Sequence, residues 1–172
     1  MGYAADAVTQ IQQQYNQLGK PKNAIVVFDI DDTLLSNQPF IEADGAYILK
    51  RIIGFQRLAQ LPLIDEQKAI YDWCVAHDVG VVMITFRCDT EYSTTVINLK
   101  EQGIDRWQKL VLFPSPCDYT ATTAKAYKEK VRQKLVKDGF YVLATVGDQY
   151  SDIEGKENGI PIKAKDPGYL TK

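Results

Sequence analysis

Carboxylates at two places in this chain and a threonine hydroxyl at a third each follow close behind a short apolar run. AIVVFDI carries the chain into Asp29-Ile30-Asp31-Asp32-Thr33, VVMIT into Thr85-Phe86-Arg87, and YVLATV into Gly147-Asp148, with Asp152 one helical turn further on. Carboxylates that converge without imidazole or thiol form a hard-oxygen site, and one or two of them leaving room for water and phosphate suit Mg²⁺. Several carboxylates within a few ångströms cannot all stay ionised without positive compensation. The segment 121–137 offers it. Ala124, Val131 and Leu135 define an apolar stripe there, and Lys128 falls within about half a right angle of that stripe at about 3.6 residues per turn. Lys125, Lys130, Lys134 and Lys137 lie off it. With Asp31 counted as protonated, the charges of Asp29, Asp148 and Asp152 balance those of Mg²⁺ and Lys128, which admits an incoming phosphate.

Strands must carry these residues to one edge. The apolar runs at 24–30, 81–85, 109–113, 141–146 and 160–164 are β-rich and too short for ordinary helices, so they read as strands. Helical periodicity fills the segments between. Val8, Ile11, Tyr15 and Leu18 make a helix over 3–18 that Gly19 and Pro21 stop, placed as an outer layer. Ile41, Ile48, Ile52, Phe55 and Ala59 form a second stripe ending before Pro62, and further helices are expected at about 64–77, 90–102 and 121–137. Strands alternating with helices imply a parallel sheet covered on both faces, and ligands bind such a sheet beyond the carboxyl ends of its strands. The expected fold is thus a Rossmann-like α/β sandwich of three layers, with residues 1–172 as a single domain.

Composition narrows the chemistry further. With 172 residues, 45% hydrophobic and 24% charged, the chain has the make-up of an ordinary globular domain. Twenty basic against 22 acidic side chains give a net charge of −2, without the basic excess of a nucleic-acid binder. His77 is the single histidine, which excludes a His-rich zinc centre. Cys74, Cys88 and Cys117 show no zinc or redox spacing, and an odd count argues against a chain built around disulfides, although one bridge stays open. Thr94, Thr123 and Gly80 stand where a thiol phosphatase loop needs arginine, so cysteine is not expected as nucleophile. There is no Walker loop, Gly-x-Ser-x-Gly elbow or membrane-length apolar run. MGYAADAVTQIQQQY lacks the cationic start and apolar core of a signal peptide; a parent with its leader trimmed would look the same.

FDIDDTLLSN, the Thr-x-Arg of ITFR, the lysine of AYKEK and VGDQYSD, in this order after strand-like runs, resemble the four signature motifs of the haloacid dehalogenase (HAD) superfamily. Within it the chain is similar to the class B acid phosphatase and plant vegetative storage protein branch, subfamily IIIB, through FDIDDTLLSN, NLKEQGIDRWQKLVL, YKEKVRQKL and VGDQYSDIEG. The resemblance spans roughly residues 24–164. The residues between the first motif and the helix at 64 are too few for a large lid, so about 36–62 reads as a small helical cap. The resemblance implies strand order 3-2-1-4-5 and Mg²⁺-dependent hydrolysis of a small-molecule phosphomonoester through an aspartyl-phosphate. Asp29 would be the nucleophile and Asp31 the general acid and then base. Asp29, the Asp31 backbone carbonyl and Asp148 would hold Mg²⁺, with Asp152 as a further ligand or a partner behind it. Thr85 and the Phe86 N–H would meet phosphate, and Lys128 would orient Asp29. Arg87 would contact phosphate or a neighbouring carboxylate. Phe86 departs from the pattern, since the family usually has a small residue there, and this bears on substrate shape. The branch also implies an exported protein if a leader has been removed and a cytoplasmic one otherwise, and it leaves open a homo-oligomer whose second subunit closes the site.

Plainer readings compete at several positions. Asp32 and Asp44 read as solvated or turn residues, and Asp152 as a helix N-cap as readily as a metal ligand. Lys128 could lie on the surface and Thr85 could serve only as a β-former. His77 reads as a surface residue at a helix end, Trp73 and Trp107 as core residues on helix faces, and the cysteines as buried small hydrophobes. Two other functions use the same residues: a non-catalytic storage or binding protein on this scaffold, and a phospho-acceptor receiver domain. The first is disfavoured because Asp29 and Asp31 are both present, the second because its acceptor lies mid-chain rather than on the first sheet strand.

Overall fold

The five β-branched runs become five parallel strands in a computed structural model that describes residues 2–44 and 49–168. In chain order the elements are α1 (Tyr3–Gln17), β1 (Ala24–Phe28), α2 (Gln38–Asp44), α3 (Leu49–Arg57), α4 (Asp65–Ala76), β2 (Gly80–Cys88), α5 (Tyr92–Glu101), β3 (Lys109–Phe113), α6 (Ala124–Lys137), β4 (Tyr141–Gly147), α7 (Tyr150–Ile153) and β5 (Ile160–Lys163). The sheet order is β3-β2-β1-β4-β5, as the resemblance implies.

Side-chain alternation along β1 explains the layers. Val26 and Phe28 point into a large core with Ile11 and Tyr15 of α1 and Ile70 and Cys74 of α4, while Ile25 and Val27 point the other way onto Leu135 of α6. Every residue of β1 is buried, as expected for a strand covered on both faces. The central position of β1 puts its carboxyl end between those of β2 and β4, so three strand ends meet at one edge.

Several elements differ from the sequence reading. Two helices, α2 and α3, stand where one apolar stripe runs; Ile48 lies outside the described residues, as does the side chain of Asp44. Ala59 sits beyond α3 with φ 55°, a left-handed residue that ends the helix. β2 continues through Phe86 and Arg87 to Cys88, with a shift in its pairing to β3 between Ile84 and Cys88. α6 begins at Ala124 rather than 121, because the Thr123 hydroxyl caps it by accepting from the Ala126 N–H at 3.1 Å. Trp73 is a core residue on α4, but Trp107 lies in the connection before β3, half-buried against the core. His77 is at the exposed C-cap of α4, its Nδ1 2.8 Å from the Trp73 carbonyl.

Gly159 opens β5 with φ 61°, and a Cβ there would meet the Val142 and Leu143 carbonyl oxygens at 2.5 and 2.6 Å. Both neighbours are backbone of β4 and cannot swing aside. Gly159→Ala is expected to lower unfolding free energy by about 2 kcal/mol or more, read by urea denaturation; unchanged stability would show that this turn is not fixed as described.

Candidate active site

The chain turns sharply where β1 ends. The Asp29 N–H still bonds to the Val146 carbonyl of β4 at 2.9 Å, but the Ile30 carbonyl then accepts from the amides of Thr33, Leu34 and Leu35. Asp29 and Asp31 therefore do not share a strand face in register; both reach the same cavity by different routes. That cavity, about 260 Å³, brings together all the residues singled out in the sequence: Asp29, Asp31, Thr85, Phe86, Arg87, Lys128, Asp148 and Asp152.

Lys128 is buried in it. Its Nζ donates to Asp29 Oδ1 and to Asp152 Oδ1, both at 2.7 Å. Burial alone would lower its pKa, but the charges of Asp152 and Asp29 outweigh this and raise it, so the ammonium stays charged. The buried residues of α6 are Lys128, Arg132 and Leu135, so its inner stripe is centred closer to Lys128 than the apolar residues suggest. Arg132 is fully buried and holds the α7 region by its backbone, donating to the carbonyls of Asp152, Glu154 and Lys156.

Asp148 and Asp152 are placed by β4 and α7. Gly147, just before Asp148, lets Asp152 pack against the end of β4, since a Cβ there would lie 2.4 Å from the Asp152 Cβ. Asp152 accepts from the Gln149 N–H at 3.1 Å, closing a capping box in which Gln149, not Asp152, is the N-cap. One Asp152 oxygen thus caps and the other holds Lys128. Asp148 accepts from the Thr33 hydroxyl at 3.0 Å and from the Gln149 amide at 3.0 Å.

Asp29, Asp148 and Asp152 offer oxygens that all lie within 4.8 Å of one another, with a single ammonium among them. Burial first, and then the Asp152 charge, raise the pKa values of Asp29 and Asp148. Buried oxygen donors with a deficit of positive charge have the chemistry to take a hard divalent cation. Of the two Asp29 oxygens Oδ2 is the less tightly held, since its Thr33 contact is a long 3.4 Å whereas Oδ1 accepts from Lys128 at 2.7 Å.

Asp31 is held differently. Arg87 clamps it through Nε–Oδ2 at 2.8 Å and Nη2–Oδ1 at 2.6 Å, and Asn37 and Gln56 also donate to it. Burial works to raise its pKa, but the Arg87 charge and hydrogen bonds lower it. The charge balance drawn from the sequence therefore holds by another route: Arg87, not a proton, neutralises Asp31. Thr85 accepts from the Arg87 N–H at 3.1 Å, leaving its hydroxyl hydrogen free to donate. Asp32 is buried rather than solvated, in a turn with φ 60°, because its carboxylate accepts from the Asn37 backbone and side chain.

Sequence reasoning missed Asn37, Gln56, Glu91 and Tyr119, which also line the cavity, and the clamp by Arg132. Only Arg132 had a signal, lying four residues after Lys128 on the same helical face. The reading of all three cysteines as buried hydrophobes holds for Cys74 alone: Cys88 and Cys117 form a disulfide with Cα atoms 5.8 Å apart. The ends of β2 and β3 lie side by side, which closes a sequence separation of 29 residues.

A parallel α/β sheet with an acidic cluster and a buried lysine beyond its strand ends is the architecture of the HAD superfamily. The chain belongs to that superfamily's subfamily IIIB (acid phosphatase), whose family model matches residues 1–172. It is 29% identical over 164 residues to a stem 28 kDa glycoprotein of Glycine max, covering 91% of this chain and 64% of the relative. It is 32% identical over 143 residues to acid phosphatase 1 of Solanum lycopersicum (80% and 55% covered) and 31% over 152 residues to vegetative storage protein 1 of Arabidopsis thaliana (83% and 54%). The chain thus spans little more than half the length of several curated relatives. The class C acid phosphatase of Bacillus anthracis shares the fold, with TM-score 0.69, 17% identity and coverage of 90% of this chain and 65% of that one.

Lys128→Met would leave the three carboxylates facing one another. Breaking this buried arrangement is expected to cost about 3–5 kcal/mol at pH 7 in a chelator-containing buffer. A carboxyl whose folded pKa is raised contributes stability that is present below its unfolded value and lost as pH rises through the folded one, so the penalty should shrink toward pH 4. Urea denaturation at both pH values reads this, and a penalty independent of pH would contradict it.

Proposed function

We propose that this chain hydrolyses small-molecule phosphomonoesters through an aspartyl-phosphate on Asp29. The observation that carries the reading is the junction of Asp29, Lys128 and Asp148 in one cavity with Asp31 and Thr85. Lys128 fixes the orientation of Asp29, whose Oδ2 is the freer oxygen to attack phosphorus. As that bond forms, the bond to the leaving oxygen breaks, and Asp31 supplies the proton. Asp31 then takes a proton from the water that cleaves the acyl phosphate. Thr85 and the Phe86 N–H donate to phosphate oxygens. Asp29, Asp148, the Asp31 carbonyl and, at one remove, Asp152 would hold Mg²⁺, which would supply charge to offset phosphate.

Asp31 is ionised in its clamp, so acting as an acid requires a proton and a looser hold by Arg87. This favours an acidic optimum. α2 and α3 are read as a small cap, since Ile53 and Gln56 of α3 line the cavity. The disulfide suits an oxidising compartment. Among the described residues no helix is long and apolar enough to cross a membrane. The vegetative storage relatives favour a second reading, a storage protein on this scaffold; the intact Asp29 and Asp31 pair argues against it.

Asp29→Asn is expected to reduce Mg²⁺-dependent turnover of p-nitrophenyl phosphate by roughly 10³-fold or more, with chelation abolishing wild-type turnover. A wild type without metal-dependent activity from pH 4 to 7.5 would refute the hydrolase reading. Arg87→Met should move the alkaline limb of the pH–rate profile up by about 1–2 units, because Asp31 then keeps its proton to higher pH. An unmoved limb would remove Asp31 as the acid.

A further inference from the structure

Four aromatic rings cluster at the carboxyl end of β2. Phe86 packs against Phe113 at 4.6 Å between centroids, Tyr119 at 5.0 Å and Tyr127 at 6.1 Å. Three of them are fixed by the sheet or its covering helix: Phe86 on β2, Phe113 on β3, and Tyr127 on α6, whose hydroxyl donates to the Leu112 carbonyl at 2.6 Å. Tyr119 alone lies on the connection between β3 and α6, where it stacks on Phe113 at 5.4 Å. Phe86 and Tyr119 line the cavity that holds Asp29 and Asp31, as do Ile53 and Gln56 of α3.

The ties on the Tyr119 connection are concentrated at one end. Cys117, two residues before Tyr119, is bonded to Cys88, the residue that follows Arg87. Ser115 donates to Asp89 through its backbone N–H at 3.1 Å and through its hydroxyl. Asp118 N–H to Pro116 and Thr120 to Asp118 stay within the connection, while the Tyr119 hydroxyl meets the Cys88 backbone at the same end of β2. The bridge therefore joins the end of the strand that carries Thr85, Phe86 and Arg87 to the only ring of the cluster not carried by a strand or helix.

We propose that the Cys88–Cys117 disulfide is a positioning element for substrate selection: it holds Tyr119 against Phe86 and so fixes the apolar wall on which the leaving group rests. This rests on the phosphomonoesterase reading of the cavity. The wall favours leaving groups with a flat apolar face, and small alkyl groups do not reach it. A dithiol opens the bridge by two thiolate–disulfide exchanges. The sulfur–sulfur bond breaks, Cys88 and Cys117 take up the two protons as thiols, and the dithiol closes to its own disulfide. Reduction would release the wall while leaving Asp29, Lys128 and Asp148 in place.

The test compares phenyl phosphate with ethyl phosphate in oxidised protein, in protein reduced with dithiothreitol, and in the Cys88→Ser/Cys117→Ser double variant. Thiol titration and circular dichroism confirm the open bridge and the retained fold. Loss of one ring contact corresponds to a KM for phenyl phosphate raised about three- to tenfold. The kcat for phenyl phosphate and both constants for ethyl phosphate should stay within about twofold in the reduced wild type. The double variant should match reduced wild type and ignore dithiothreitol, and Tyr119→Ala should raise the phenyl phosphate KM with the bridge intact. An unchanged phenyl-to-ethyl ratio after reduction, or equal losses on both esters, would overturn the proposal. Calorimetric affinities for phenylphosphonate and methylphosphonate read the same wall without turnover. If oxidised protein hydrolysed neither ester, the hydrolase reading would fall, while the response of these affinities to reduction would still decide the role of the bridge.

Discussion

A buried ammonium between two carboxylates is the constraint on which the rest of the site depends. Asp29, Asp148 and Asp152 cannot share a small buried volume without a positive charge, and Lys128 supplies it from α6. Its position is not free. α6 must present Lys128 inward, and Arg132, one turn on, grips the carbonyls around α7, so the helix that carries the lysine also fixes the segment that carries Asp152. Gly147 permits the last close approach. Helix, strand end and turn are thereby coupled through one charge.

A second charge pair stands a few residues away and is kept separate. Asp31 belongs to Arg87 and Asp29 to Lys128, so two aspartates of one short turn experience opposite influences: the pKa of the first is lowered and that of the second raised. An acid and a nucleophile need the opposite directions, so the proposed reaction requires a cation that holds Asp29 ionised and a looser Arg87 clamp that lets Asp31 take a proton. The unsatisfied excess remains with Asp29 and Asp148, on the side where a divalent cation and a phosphate would meet.

Much of this was legible because it rests on local regularities. Short β-branched runs marked all five strands, and the residues following them marked the edge where Asp29, Thr85 and Asp148 converge. Lys128 was legible from helical phase. Other features depend on distances that sequence does not encode. Arg87 meets Asp31 because β2 runs on past Thr85 and shifts register near its end. Cys88 meets Cys117 only because β2 and β3 are neighbours. Gln56 and Glu91 come from segments that carry no motif, and Asp32 looks like a solvated turn residue until Asn37 is folded over it. Arg132 shares the inner face of Lys128, a periodic signal that an apolar stripe of alanine, valine and leucine obscured.

The proposed hydrolysis turns on a covalent bond between Asp29 and phosphate. It is tested most directly by rapid-quench labelling with a ³²P-phosphomonoester, followed by borohydride reduction and peptide mass spectrometry. The expected result is acid-stable, hydroxylamine-labile label at Asp29, reduced to homoserine at that position. Turnover with no label at Asp29 at any quench time, or label on another residue, would contradict the account.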